Sequence, residues 1–94
     1  MSSDRTDTLF IGKKPLMTYV TSAIIQLATM PIITIKARGH SMVTAIDVAQ
    51  IVLRKTKPAF EIGDVKIASE SLVSSDGRNR DVSTIDISIK RVTS

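Results

Sequence analysis

Ile32-Ile33-Thr34-Ile35-Lys36-Ala37-Arg38-Gly39-His40-Ser41 is a strand running into a helix. Ile33, Ile35 and Ala37 alternate with Thr34, Lys36 and Arg38, the period-two pattern of a strand with one dry and one wet face. Gly39 turns the chain, and Ser41 suits a helix N-cap. Val43, Ile46, Ala49, Ile51, Val52 and Leu53 then supply apolar helical positions through about Lys57, and Pro58 marks the end. This stripe is wide. Val48 and Ile51 fall away from its centre and are expected to face a partner subunit.

The same design occurs once more upstream. Thr8 to Ile11 reads as a short strand ended by Gly12, Lys13 and Lys14 follow, and Pro15 suits the first turn of a helix. From Leu16 to Thr29, Leu16, Val20, Ala23, Ile24 and Leu27 recur at helical spacing, and Pro31 closes the segment. Downstream, Phe60 to Ser74 suits a strand, Asp76-Gly77 a turn, and Val82 to Val92 a second strand. In the latter, Ile85, Ile87 and Ile89 point one way and Thr84, Asp86, Ser88 and Lys90 the other. Both strands exceed the typical five or six residues, so their turn is expected to cap a projecting arm.

Ninety-four residues hold one small domain, and 43% hydrophobic with 23% charged residues are globular proportions. We expect a flexible leader over 1–7 and a single domain over 8–94. Thr18, Thr21, Ser22, Gln26 and Thr29 interrupt the longest apolar run, so no membrane span is expected. The stretch Met1 to Asp7 is polar and carries acids, unlike a signal peptide, which suggests a cytoplasmic protein. With no cysteine and one histidine, a thiolate metal site and a Cys nucleophile are excluded, and no metal or cofactor is expected. Phe10, Tyr19 and Phe60 are the only aromatic residues, too few for a platform on which bases stack in succession.

The net charge of +4 says less than its distribution. From Thr8 to Ile46 there is no Asp or Glu, yet Lys13, Lys14, Lys36, Arg38 and His40 all fall there. Lysines at a helix N-terminus oppose the positive end of the macrodipole, an arrangement that makes sense if backbone N–H and ammonium groups capture an external phosphate. Two solvated loop lysines are the plain alternative. If the first two strands are parallel neighbours joined by a right-handed crossover, Lys13-Lys14 and Arg38-Gly39-His40 emerge at one sheet edge. His40 is assigned at most a phosphate hydrogen bond. Arg78 and Arg80, two apart beside the Asp76-Gly77 turn, project to one side of an extended chain; Asp76 and Asp81 offset their charge.

Other chemistry fits poorly. A triphosphate-binding loop on Gly12-Lys13 would need Gly and Ser or Thr where Asp7 and Lys14 stand. Asp64-Val65-Lys66, with Asp47 or Glu70, faintly imitates a magnesium-dependent nuclease set, a triplet common by chance. Ser41 beside His40 has no orienting acid.

Four collinear segments resemble the Alba family of small archaeal chromatin proteins: Ile11-Gly12-Lys13-Lys14-Pro15, Ile35-Lys36-Ala37-Arg38-Gly39, Ser75-Asp76-Gly77-Arg78 and Val82-Ser83-Thr84-Ile85. The similarity spans about Thr8 to Arg91. It implies an α+β fold, a two-layer βαβαββ domain with a four-stranded mixed sheet, two helices on one face and a projecting hairpin between the last two strands. It also implies a homodimer that binds duplex DNA and RNA without sequence specificity, non-enzymatically and at the chromosome. On this resemblance Lys13 and Lys14 match the central DNA-contacting lysines, one of them open to acetylation, so an acetyltransferase and a deacetylase become partners. Lys36 and Arg38 fall on the same basic surface, and Arg78 and Arg80 on the arm. The chain departs from the family pattern in having His40 for an arginine and Thr44 for a lysine, which implies lower or more pH-sensitive affinity. Thr56 stands where many members place a phenylalanine in a dimer-to-dimer contact, so higher-order packing stays open. An RNA-directed module of the same fold is the main alternative, and the nuclease the enzymatic one.

Overall fold

In the computed structural model, which describes residues 7–92, the order is β1 (Thr8–Phe10), α1 (Leu16–Leu27), β2 (Ile32–Arg38), α2 (Ser41–Thr56), β3 (Phe60–Val73) and β4 (Asn79–Arg91). The sheet order is β1-β2-β4-β3, with β1 parallel to β2 and the other two pairings antiparallel. The leader expected over 1–7 lies outside the described residues except for Asp7, whose carbonyl accepts from the Thr34 N–H at 2.8 Å. No helix among the described residues is long and apolar enough to cross a membrane.

Alternation decides which face is dry. Ile33, Ile35 and Ala37 of β2 and Ile85, Ile87 and Ile89 of β4 are buried, and Ile35 and Ile87 are register partners. Val20, Ala23 and Leu27 of α1 and Ala45, Val48, Ala49 and Val52 of α2 cover them in one apolar cluster. Both helices therefore lie on one face. Each fully buried Ile or Val stabilises the domain by about 1.5–3 kcal/mol relative to exposure. Among the described residues no helix covers the opposite face, which presents Thr34, Lys36, Asp86 and Ser88.

Three local expectations change. The first residue of α2 is Ser41 itself, and its N-cap is His40, with no side-chain cap bond. Gly39, at φ +59°, makes the reversal, so helical dihedrals begin one residue early and Met42 N–H bonds the Gly39 carbonyl at 3.1 Å. Pro15 likewise caps α1 from outside its first turn, with an extended ψ of 147°. Val48 is wholly buried rather than turned to a partner, because the inward stripe runs through Ala45, Ala49 and Val52; Val43 and Ile46 are the exposed ones.

The β3–β4 hairpin reaches far past the layers. The last β2 pairing with β4 is Arg38 with Thr84, yet β3 and β4 continue from Ser69–Ser83 to Val73–Asn79. That overhang is about 17 Å at roughly 3.4 Å per residue. The longest dimension of the molecule is 50 Å, against 32 and 25 Å for the others. No β3 residue is buried, and a register irregularity between Ile62 and Val65 bends it near its start.

Candidate nucleic-acid interface

Because β1 and β2 run parallel, their C-terminal ends leave the sheet together. The Gly12–Pro15 and Gly39–His40 junctions therefore share one edge. The Gly39 N–H bonds the Ser83 carbonyl at 2.9 Å, tying the second junction to the base of the arm. Lys13, Lys14 and His40 are all exposed there. Neither α1 nor α2 has an acid in its first turn, so two positive helix ends face outward beside these side chains. Such an edge attracts an extended polyanion.

The structure corrects how the first junction offers its donors. The N–H groups of Gly12 and Lys14 do not await an anion: both donate to the Tyr19 hydroxyl, at 2.8 and 3.0 Å. Tyr19 is 5% exposed and sits on the inner side of α1. Its ring anchors in the core while its oxygen gathers the loop, and the side chains of Lys13 and Lys14 stay exposed. Sequence reasoning passed over this residue. The available signal was a tyrosine three residues past Leu16 and four before Ala23, because a phenol on a buried stripe needs a partner. Tyr19→Phe keeps the ring but removes the acceptor, so a loss of about 1 kcal/mol is expected, with faster amide exchange at Gly12 and Lys14. Thermal denaturation and hydrogen exchange measure both; unchanged exchange would detach the loop from the phenol.

Lys36 and Arg38 lie elsewhere, on the open face of the sheet. The Lys36 Nζ is 3.0 Å from Asp86 Oδ2, and Arg38 Nη1 is 3.3 Å from Glu70 Oε1. These partially exposed pairs are worth about 1 kcal/mol or less each. Fifty positions separate Lys36 from Asp86 in the chain; only the register unites them.

At the arm's tip Gly77 adopts φ +85°, and its N–H bonds the Ser74 carbonyl at 2.9 Å. Asp76 accepts from the Ser74 hydroxyl and, at 3.1 Å, from the Arg78 N–H. These bonds, the Ser74 one foremost, hold its carboxyl below the usual range. Arg78 Nε is 3.8 Å from Asp76 Oδ2, a loose exposed pair. Asp81 is engaged across the hairpin by the Ser71 hydroxyl at 2.9 Å. Arg80, opposite Leu72, shares a strand row with Val82 and Thr84. The seven residues singled out from sequence thus form three groups: Lys13, Lys14 and His40 at the edge, Lys36 and Arg38 on the open face, Arg78 and Arg80 on the arm. No group of three or more His, Asp or Glu able to hold a metal ion occurs among the described residues.

The family model described as Alba matches residues 7–69. The chain is 62% identical over 92 residues, 97% of each chain, to the DNA/RNA-binding protein Alba of Nitrosopumilus maritimus. It is 37% identical over 86 residues, 90% of each, to the protein of that name in Methanocella arvoryzae. Alba from Thermoplasma volcanium superposes with a TM-score of 0.82 at 35% identity, covering 89% of this chain and 99% of that one. ALBA1 from Trypanosoma brucei shares the fold alone, with a TM-score of 0.73 at 11% identity over 96% of this chain and 73% of that one. With the four-stranded order, the two helices on one face and the paired basic junctions all in place, the chain belongs to the Alba family.

Proposed function

We propose that this protein is a non-enzymatic nucleic-acid-binding protein that coats or compacts duplex DNA, and also binds RNA, without sequence specificity. The observation that carries this reading is the gathering of two acid-free basic junctions and the arm's base at one sheet edge. Relatives named DNA/RNA-binding proteins support it. Lys13, Lys14 and His40 contact phosphates, Lys36 and Arg38 extend the basic surface, and Arg78 and Arg80 enter a groove. Arginine suits a narrow minor groove because its planar head is weakly hydrated and the potential there is focused.

The working unit is a homodimer located with the chromosome in the cytoplasm. Val65 and Ile67 pair with the core residues Ile87 and Ile85 and so belong to the helix-side row of β3, yet they are 53% and 76% exposed. Exposed apolar side chains in a row suit a second copy. Acetylation of Lys13 or Lys14 by an acetyltransferase, reversed by a deacetylase, would weaken the grip by removing charge.

The test is a salt titration on several unrelated duplexes of one length. Each phosphate neutralised contributes a log-log slope of about −0.9, so Lys13 and Lys14 of two protomers predict a slope of about −3.6 or steeper. Affinities should agree within about twofold across sequences. A slope near zero, or binding confined to one sequence, would reject the reading. Competition between matched duplex DNA and RNA at fixed salt then ranks the two polymers.

A further inference from the structure

The three aromatic residues have different surroundings. Tyr19 is buried, and Phe60 packs on the core with the Arg91 guanidinium 5.0 Å above its ring. Phe10, the last residue of β1, is 70% exposed. Leu9 and Ile11 on either side of it point into the core, so alternation turns Phe10 to the open face, where its register partner is Lys36. There it lines a cleft of about 590 Å³ together with Lys36, Arg38, Glu70, Thr84 and Asp86. The exposed ring is thus open to a planar ligand from the uncovered side of the sheet.

The cleft carries two cations and two carboxylates, matched as Lys36–Asp86 and Arg38–Glu70. It is locally neutral, so it suits the uncharged part of a nucleotide better than a phosphate. The ring offers a stacking surface, and Arg38 a planar one beside it. Glu70 and Asp86 can accept hydrogen bonds from base amino groups and from a ribose 2′-hydroxyl, which DNA lacks. Lys13 and Lys14 follow Phe10 by three and four positions, exposed in the junction by which the chain leaves β1. A base held in a duplex cannot lie flat on this ring.

We propose that the Phe10 cleft is a subsite for an unpaired nucleotide of single-stranded RNA, its base stacked on Phe10 and its flanking phosphate on the Lys13-Lys14 junction. The proposal rests on the phosphate-binding reading of that junction. It gives one protein two modes: backbone contact with duplexes, and base stacking with unpaired RNA.

The chain has no tryptophan, so Phe10→Trp in the full-length protein is a single-site emission reporter. A short oligoadenylate RNA should quench its emission, whereas blunt duplex DNA should not. Phe10→Ala should bind oligoadenylate RNA about tenfold more weakly, the range of one stacked base, with duplex affinity within about twofold of wild type. Phe10→Leu, which keeps an apolar strand residue, should lose as much, separating stacking from folding. Lys13→Ala with Lys14→Ala should weaken both ligands. If that pair leaves duplex binding intact while Phe10→Ala still costs RNA affinity, the junction reading fails and the stacking subsite stands. Equal loss on RNA and duplex with Phe10→Ala, or no loss on either, overturns the subsite. Quenching by the deoxy oligonucleotide at equal affinity overturns its assignment to RNA.

Discussion

Duplex binding falls by roughly one to two orders of magnitude at 0.1 M salt when Lys13 and Lys14 are both replaced by alanine, and the log-log salt slope becomes shallower by about 0.9 for each lysine lost from the contact. The loss is uniform across sequences, because ammonium groups on phosphates read charge and not bases. Stability is expected to move the other way. Both lysines precede α1, whose positive end has no acid in its first turn and disfavours cations, so removing them relieves a few tenths of a kcal/mol. Weaker binding with an unchanged or raised Tm marks a residue kept for its ligand. Glutamine at the same positions, neutral as acetyl-lysine is, should behave alike. Isothermal titration at several salt concentrations, with a thermal melt of each variant, checks the pair of effects. Unchanged affinity would reduce the junction to a solvated loop.

The second large effect concerns assembly. Val65→Asp with Ile67→Asp places two carboxylates on the helix-side row of β3, where the native side chains are largely exposed. Nothing in the protomer depends on them for burial, so the monomer fold is expected to survive. A dimer held by that row, with Val43 and Ile46 on the outer surface of α2, is expected to dissociate. Sedimentation should then report the monomer mass of 10.2 kDa in place of twice that value. Affinity for a long duplex should drop by about 10²-fold, because two linked junctions act at a high effective concentration and two separate ones do not. A wild-type protein that sediments as a monomer at all concentrations would refute the dimer.

Several features of the fold were legible because they follow from period and punctuation alone. Alternation of Ile33, Ile35 and Ala37 with Thr34, Lys36 and Arg38 can bury only one side of a strand, and that side is the one the helices cover. The same holds for Ile85, Ile87 and Ile89. Gly39 and Gly77 mark reversals because each adopts a left-handed φ that other residues resist. The shared edge of the basic junctions was expected on the condition that β1 and β2 are parallel neighbours, and they are.

What stayed illegible depends on neighbours. On α2 the apolar residues cover more of the circumference than the sheet can bury, so periodicity alone placed Val48 outside when packing put it at the centre. Tyr19 was not placed on the inner stripe at all; that its oxygen would meet Gly12 and Lys14 depends on the loop folding back over α1. By itself, the sequence determined the elements, their order, the dry face of each central strand and the edge where positive charge collects, since these rest on local sterics and hydrophobic period. Only the tertiary structure decided that Lys36 and Arg38 face Asp86 and Glu70 across the open sheet, and that Phe10 stands exposed beside those pairs. Register sets those contacts, and register is a property of strands lying side by side, which no stretch of sequence read singly contains.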